Sequence, residues 1–533
     1  MNSNKVESID IAIIGAGISG LSAARKLIQH GFTNYKIYEA SDRVGGRTLV
    51  DDDGTDLGGA YFGPTQDGII NIIDELGLKL RKVNIKGKTI QHVGGSVQHY
   101  EGTIPPVSIM GALDLNYAIV KMDAMCSTVN IAEPHLTKNA SYLDSITGEQ
   151  LVEQFAWTVD GRSVLRVGIK SILCVEPCQL SALYLLWYIA QSGGPKRIFE
   201  TEDGAQDSKV VGGAGQIARL LAARYASADD GKLVLKCPIR TISHITTNPN
   251  PNVNSTGNDS FIELRSDNLT IRAKYVIMAI PPVQMLRIHY TKPLSAQRHQ
   301  SLQRWPMGCI CKSFMYYKSN FWKARGLNGT LLSDNGIVSV TYCDTKEDGS
   351  NPALMGFVLS HESLRHMSKD ERKQAICQHY ATCFQTDEAL RPCGYKEKMW
   401  AEEPWVGGCY VGTVGPGVLT SCRRAHTEPM CGDRIFMAGT ESALRMIGYM
   451  DGAVEAGERA ARNVLVQTGH LDQTQYNIVE TTAASPQMPY VHMGITSVET
   501  LIPSAWTVAR LGTAALIAVC AVAVAYLSPP CGW

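Results

Sequence analysis

The chain has 533 residues, of which 44% are hydrophobic and 19% charged, and its 50 basic and 50 acidic residues give a formal net charge of +0. This composition is that of a folded protein, and it excludes a nucleic-acid surface, which needs a basic excess. The length exceeds what one simple core holds and predicts two or three domains.

The N-terminus is polar and reaches an apolar strand within about ten residues, which leaves no room for the apolar stretch of a secretory signal. The 15 cysteines are therefore expected as reduced thiols in a reducing compartment. No zinc-type pair of CxxC units occurs, and Cys309 and Cys311 stand too close together in an apolar strand for a metal site. No metal is expected.

The run from Ile11 to Gly20 reads as a buried strand entering a GxGxxG turn formed by Gly15, Gly17 and Gly20, with a helical pattern behind it. A second apolar run, Tyr35 to Tyr38, ends on Glu39. A strand, glycine turn, helix, strand and acid in this order hold the pyrophosphate and ribose of a dinucleotide. The helix N-terminus offers free N–H groups to the phosphates, and the acid accepts from the ribose diol. The turn alone does not separate NAD from FAD. Just beyond it, Arg43, Gly45, Gly46 and Arg47 combine candidate phosphate donors with close-approach glycines, and a further glycine turn spans Asp56 to Tyr61.

Strands alternating with helices predict a parallel sheet covered by helices. Leu180 to Ser192 is apolar at helical spacing and reads as a core helix, and Lys209 to Gln216 starts another helix through a glycine turn. Leu233 to Ile239 and Tyr275 to Pro282 read as strands returning to the first sheet, and Thr246 to Ser260 as a flexible hairpin insertion. No internal repeat is present. The segment from Leu511 to Leu527 carries no charge and approaches the lower limit of about 17 residues for a bilayer-spanning helix. Trp506 and Tyr526 suit interfacial anchors and Arg510 is a positive flank, so a tail anchor is preferred over a buried soluble helix.

Three further segments carry chemistry. Trp405-Val406-Gly407-Gly408-Cys409-Tyr410 places a thiol where its backbone can approach a ring closely. On composition alone Cys409 would be an ordinary buried thiol. Arg434 to Glu441 reads as a strand ending in a glycine turn, and Gly448-Tyr449-Met450 opens a helix with small residues on its face. Lys312 lies in the apolar strand Cys309 to Tyr317, where a charge is costly unless it meets a partner, water or the strand edge.

The acid–Arg–Gly–Gly–Arg segment, Glu39 to Arg47, resembles the flavin-dependent amine oxidases. The pairing of Gly-Gly-Cys-Tyr with Gly-Tyr-Met resembles the monoamine oxidases within that family, and the similarity runs from about Asp10 to the tail. This resemblance implies an α/β fold, with an FAD-binding, Rossmann-like GxGxxG domain interleaved with an α+β substrate domain and followed by a C-terminal transmembrane tail helix. The expected division is residues 1–83, 209–288 and 403–466 for FAD, 84–208, 289–402 and 467–490 for substrate, and 491–533 for the membrane arm.

The resemblance also implies that FAD is carried covalently through an 8α-S-cysteinyl bond at Cys409. Gly15, Gly17, Gly20, Glu39, Arg43, Gly45, Gly46, Arg47, Ile239, Trp400, Gly439, Thr440, Gly448 and Met450 are the other cofactor-binding positions. Tyr410 and Tyr449 map onto an aromatic cage around the amine, and Lys312 onto a lysine that holds water near the flavin and helps reoxidation by dioxygen. Phe199 maps onto a gate between entrance and substrate cavities. Gln206, Tyr61 and the small Val340 map onto the pocket. Arg445-Met446-Ile447 and the pair Trp405-Val406 depart from the family pattern.

The implied activity is oxidative deamination of primary arylalkyl monoamines to aldehyde, ammonia and hydrogen peroxide, with dioxygen as acceptor. The implied location is the outer mitochondrial membrane, the catalytic part facing the cytosol. The partners are then amine, dioxygen and the lipid bilayer, with no nucleic acid; a homodimer is left open. A polyamine or L-amino-acid oxidase on the same fold, or a membrane-tethered flavoprotein without catalysis, are the alternatives.

Overall fold

A computed structural model of the chain describes residues 5–102, 105–246, 260–359, 366–474, 476, 492–493 and 500–513. The first strand, Lys5–Ile14, is polar where it starts and wholly buried from Ile11 onward. It lies at the centre of an eight-stranded sheet, paired in parallel with Tyr35–Tyr38 on one side and Leu269–Met278 on the other. A strand buried on both faces reads as a continuous apolar run, which is why Ile11 to Ile14 shows no alternation. Leu233–Val234 extends the sheet beyond Tyr35–Tyr38, and Ile435–Met437 adds to Leu269–Met278. The strands expected to return to the first sheet therefore do so.

Thr241–Thr246 and Ser260–Arg265 pair antiparallel, with Ser260 opposite Thr246. The expected hairpin insertion sits between them, and its residues 247–259 lie outside the described ones.

A second, seven-stranded sheet runs in the order Gly394–Met399, Cys311–Tyr316, Ala353–Val358, Val340–Cys343, Leu327–Ser333, Lys88–Val93 and Ser96–Tyr100. All its neighbours are antiparallel except Leu327–Ser333 with Lys88–Val93. A short three-stranded sheet joins Tyr61–Phe62, Ser208–Val210 and Leu80–Lys82.

The core helix expected between Leu180 and Ser192 is Ala182–Gln191, buried along its whole length. Ser181 starts it, its hydroxyl accepting from the Tyr184 N–H at 3.2 Å, which satisfies one of the free donors at a helix start. This helix forms one core with Ile109–Cys126, Gly148–Phe155 and Val159–Leu173.

The 13 cysteines among the described residues are all free thiols. Among those residues no helix is long and apolar enough to cross a membrane. The expected tail anchor lies outside the described residues from 514 onward.

Candidate active site

The glycine turn does what its spacing requires. Gly15 has φ +101°, a conformation that favours glycine. A Cβ on Gly20 would lie 2.0 Å from the Gly15 carbonyl oxygen, whereas one on Gly17 would meet nothing within 4 Å. Gly20 thus lets helix and strand close, and Gly17 keeps the space ahead of the helix clear. Glu39 stands beyond the end of Tyr35–Tyr38, where its carboxylate accepts from the Ala16 N–H at 2.6 Å and the Ser41 N–H at 2.9 Å. Each carboxylate oxygen keeps a further acceptor site for a ribose hydroxyl.

This turn opens into a cavity of about 730 Å³, within the usual range for cofactor and substrate sites. Every expected cofactor-, substrate-binding or catalytic residue lines it except Gly20, whose place is between helix and strand. The nucleotide end is walled by Gly15, Gly17, Glu39, Arg43, Gly45, Gly46 and Ile239. Trp400, Cys409, Gly439, Thr440, Gly448 and Met450 follow, then Lys312, Tyr61, Gln206, Phe199, Val340, Tyr410 and Tyr449. Open space before Gly17 and an acid at the second strand suit the pyrophosphate and ribose of a dinucleotide.

The two arginines, candidate phosphate donors on the cavity wall, also hold the protein around them. Arg47 is committed to Glu441 through contacts of 2.5 and 3.0 Å and donates to the Tyr410 carbonyl at 2.9 Å. It therefore fixes the Cys409–Tyr410 turn from behind. Arg43 donates to the carbonyls of Gly46, Val44 and Thr48 at 3.0 to 3.3 Å and so shapes the glycine loop.

Lys312 is 4% exposed. Its Nζ donates to the carbonyls of Asp56 at 2.6 Å and Gly58 at 2.9 Å. An ammonium has three donors, so one is left over. Burial, with Lys209 nearby, pulls its pKa down to about 8 against the opposing pull of Asp56 and Asp344. Trp400 is held by its indole N–H on the Leu57 carbonyl at 2.9 Å.

Cys409 and Tyr410 are joined by a cis peptide bond. Burial pushes the Cys409 thiol up to about 12, while Arg47 and Lys312 pull the other way. The Tyr410 ring stands edge-on to Phe357, centroids 5.8 Å apart, and Tyr449 stacks on Tyr188 at 6.1 Å. Burial raises the pKa of both tyrosines, so both are neutral phenols. Tyr449 is also the residue before the closing helix, Met450–Gln467. Phe199 is 38% exposed at the end of Pro195–Phe199, on the wall of one continuous cavity.

The family-model comparison matches residues 18–465 to the flavin containing amine oxidoreductases. Amine oxidase [flavin-containing] A of Sus scrofa is 38% identical over 88% of this chain and 87% of its own length. Amine oxidase [flavin-containing] B of Homo sapiens is 36% identical over 94% of each. The chain belongs to the flavin-containing amine oxidase family. Among solved structures, putrescine oxidase bound to putrescine superposes with a TM-score of 0.79 at 27% identity, covering 86% of this chain and 100% of that one. Cyclohexylamine oxidase from Brevibacterium oxydans gives the same score and identity, covering 86% and 99%.

In this flavin amine oxidase three residues have surroundings that the sequence did not announce. Glu441 is 1% exposed and anchors Arg47. Asp56 is buried beside Lys312 and Lys209, and burial raises its pKa to about 6. Trp405, one of the departures from the family pattern, lies on the cavity wall with Arg240 and Arg287 against its ring at 5.4 and 5.6 Å. Acids and arginines that meet only across hundreds of residues leave no local spacing to detect.

Away from this cavity, His92, His379 and Cys383 bring their potential ligand atoms within 4.8 Å of one another. His379 Nδ1 accepts from the Val338 N–H at 3.3 Å. Its Nε2 therefore carries the proton, turned toward Ser333 Oγ and His92 Nδ1 at 3.3 and 3.4 Å. A protonated ring nitrogen has no lone pair for a metal, and this group is a hydrogen-bond cluster.

Proposed function

We propose that this enzyme oxidises a primary arylalkyl monoamine to the imine, which water converts to aldehyde and ammonia, with dioxygen reduced to hydrogen peroxide. The observation that carries the reading is the convergence of Lys312, Cys409, Tyr410 and Tyr449 on one cavity with the dinucleotide turn. FAD, when bound, supplies the two-electron chemistry. Cys409 is the residue that would hold it covalently, with Arg47 and Glu441 supporting the turn that presents the sulfur. Tyr410 and Tyr449 orient the amine between two aromatic faces, which also attract its ammonium form. The free base is the species whose lone pair is available for oxidation. Lys312 supplies a donor beside the site where dioxygen is reduced.

The two sheets support a division of labour. The first sheet draws on residues 5–38, 233–290 and 435–437, and the second on 88–100, 311–358 and 394–399. We assign residues 1–83, 209–288 and 403–466 to FAD and 84–208, 289–402 and 467–490 to substrate. The charge-free segment after Leu511 is assigned to membrane anchoring, at the outer mitochondrial membrane on the strength of the family resemblance.

The test is a visible spectrum of the purified holoenzyme. Phenethylamine should bleach the oxidised flavin band without oxygen, and air should restore it with release of peroxide. Activity confined to spermine would overturn the monoamine assignment. Absence of peroxide across a broad amine panel would overturn the enzymatic one.

A further inference from the structure

The strand Val340–Cys343 carries Val340 and Tyr342 two residues apart, so both side chains leave the same face of the second sheet. Both line the cavity, as does Phe357, which is opposite Val340 on the neighbouring strand. From Tyr410 a file of rings runs along this wall. Tyr410 stands edge-on to Phe357, Phe357 edge-on to Tyr342 with centroids 6.4 Å apart, and Tyr342 lies 5.9 Å from Tyr61, tilted by 57°. Tyr61 comes from the three-stranded sheet, where it is paired with Lys209. The Lys209 ammonium sits 5.4 Å from the centre of the Tyr61 ring and is ion-paired with Asp344, two residues beyond Tyr342. One buried ion pair thus ties together the segments that carry the two rings.

The polar ends of these two rings are open. Neither the Tyr61 nor the Tyr342 hydroxyl has a hydrogen-bond partner among the described residues, and neither is one of the unpaired polar atoms that the protein encloses completely. Both hydroxyls therefore keep accessible surface, and the surface they border is that of the cavity. Burial raises the pKa of both, that of Tyr342 to about 12, so both are neutral phenols that donate as well as accept. A buried tyrosine hydroxyl normally finds a partner. A substrate that supplies the missing partner is selected strongly over one that leaves the group unpaired.

We propose that Tyr342 is a specificity-determining residue that, together with Tyr61, receives a hydroxyl at the far end of the aryl ring of an amine whose reacting nitrogen lies between Tyr410 and Tyr449. Phe357 and the Tyr342 ring offer aromatic surface to the aryl group between the two ends. The substituent is uncharged, because a carboxylate or ammonium there would need a charged partner, and Lys209 is already committed to Asp344. The proposal rests on the amine oxidase reading above and deepens it by narrowing the substrate class to ring-hydroxylated arylalkylamines.

The experiment compares 4-hydroxyphenethylamine with 4-methylphenethylamine, which match in size and differ in whether the ring substituent can hydrogen-bond, using phenethylamine as control. In the wild-type holoenzyme kcat/KM should favour the hydroxylated amine by about tenfold or more. Tyr342→Phe removes one hydroxyl and keeps the ring. It should bring kcat/KM on the hydroxylated amine down to the level of the methylated one, chiefly through KM. Tyr61→Phe should narrow the preference as well, and this arm serves if the Tyr342 variant does not fold. Equal handling of the two substituted amines by wild type overturns the proposal. So does a preference that survives undiminished in either phenylalanine variant, or a loss on both amines together in Tyr342→Phe. Failure of wild type on phenethylamine and every other amine instead overturns the amine oxidase reading itself.

Discussion

At Lys312 the chain spends a charge inside a sheet, and the surroundings set how tightly the proton is held. Two backbone carbonyls accept from Nζ, while burial and Lys209 draw the pKa down to about 8. A cation near dioxygen stabilises the negative charge that builds as it is reduced. Below pH 8 Lys312 is mostly protonated and above it mostly neutral. The rate of reoxidation by dioxygen in stopped flow should therefore fall as pH rises through about 8. Lys312→Met should be flat over that range and at least about 100-fold slower at pH 7. A variant that keeps the wild-type profile would remove Lys312 from that role. Cys409→Ala tests the tether: on acid precipitation the yellow colour should remain with wild-type protein and pass into the supernatant for the variant. Both positions stand in short, locally conspicuous segments, but their roles came from the resemblance those segments carry, not from the residues alone.

Elements explain the residues that were not legible. Arg47 reads as a phosphate donor in its own segment, yet the turn before the closing helix brings Glu441 to it across 394 residues. A buried carboxylate deprived of its guanidinium is an uncompensated charge. Arg47→Met should cost about 3 kcal/mol of stability, read as a lower midpoint in denaturant. Arg47→Lys should recover only part of this, as one ammonium cannot reproduce the two-pronged contact. An unchanged midpoint would show that Glu441 is compensated elsewhere. The file of rings from Tyr61 to Tyr410 is likewise a property of several elements, since Tyr61, Tyr342 and Phe357 lie on three different strands. Alternation within each strand is visible in the sequence, but the register that aligns them is set by the pairing.

For the whole molecule, the cavity is built from both sheets and the buried helices between Ile109 and Gln191, and its walls draw on residues from Ile14 to Met493. The described walls of the cavity end at Met493. Removing residues 505–533 should therefore yield a soluble protein that keeps its flavin spectrum and amine oxidation. Fractionation by ultracentrifugation reads the first outcome, and continued sedimentation with membranes would place the anchor elsewhere.

The amino-acid order alone determined the dinucleotide turn, the parallel strands around it and the buried helix at Ala182–Gln191. Each of these is encoded within a few neighbouring residues, through apolar periodicity and the backbone demands of glycine. Only the tertiary structure decided that Arg47 serves Glu441, that Asp56 and Lys209 stand near Lys312, and that Tyr342 brings an unpartnered hydroxyl to the cavity wall beside Tyr61. Those relations depend on distance and desolvation between segments far apart in the chain, and no local pattern records them.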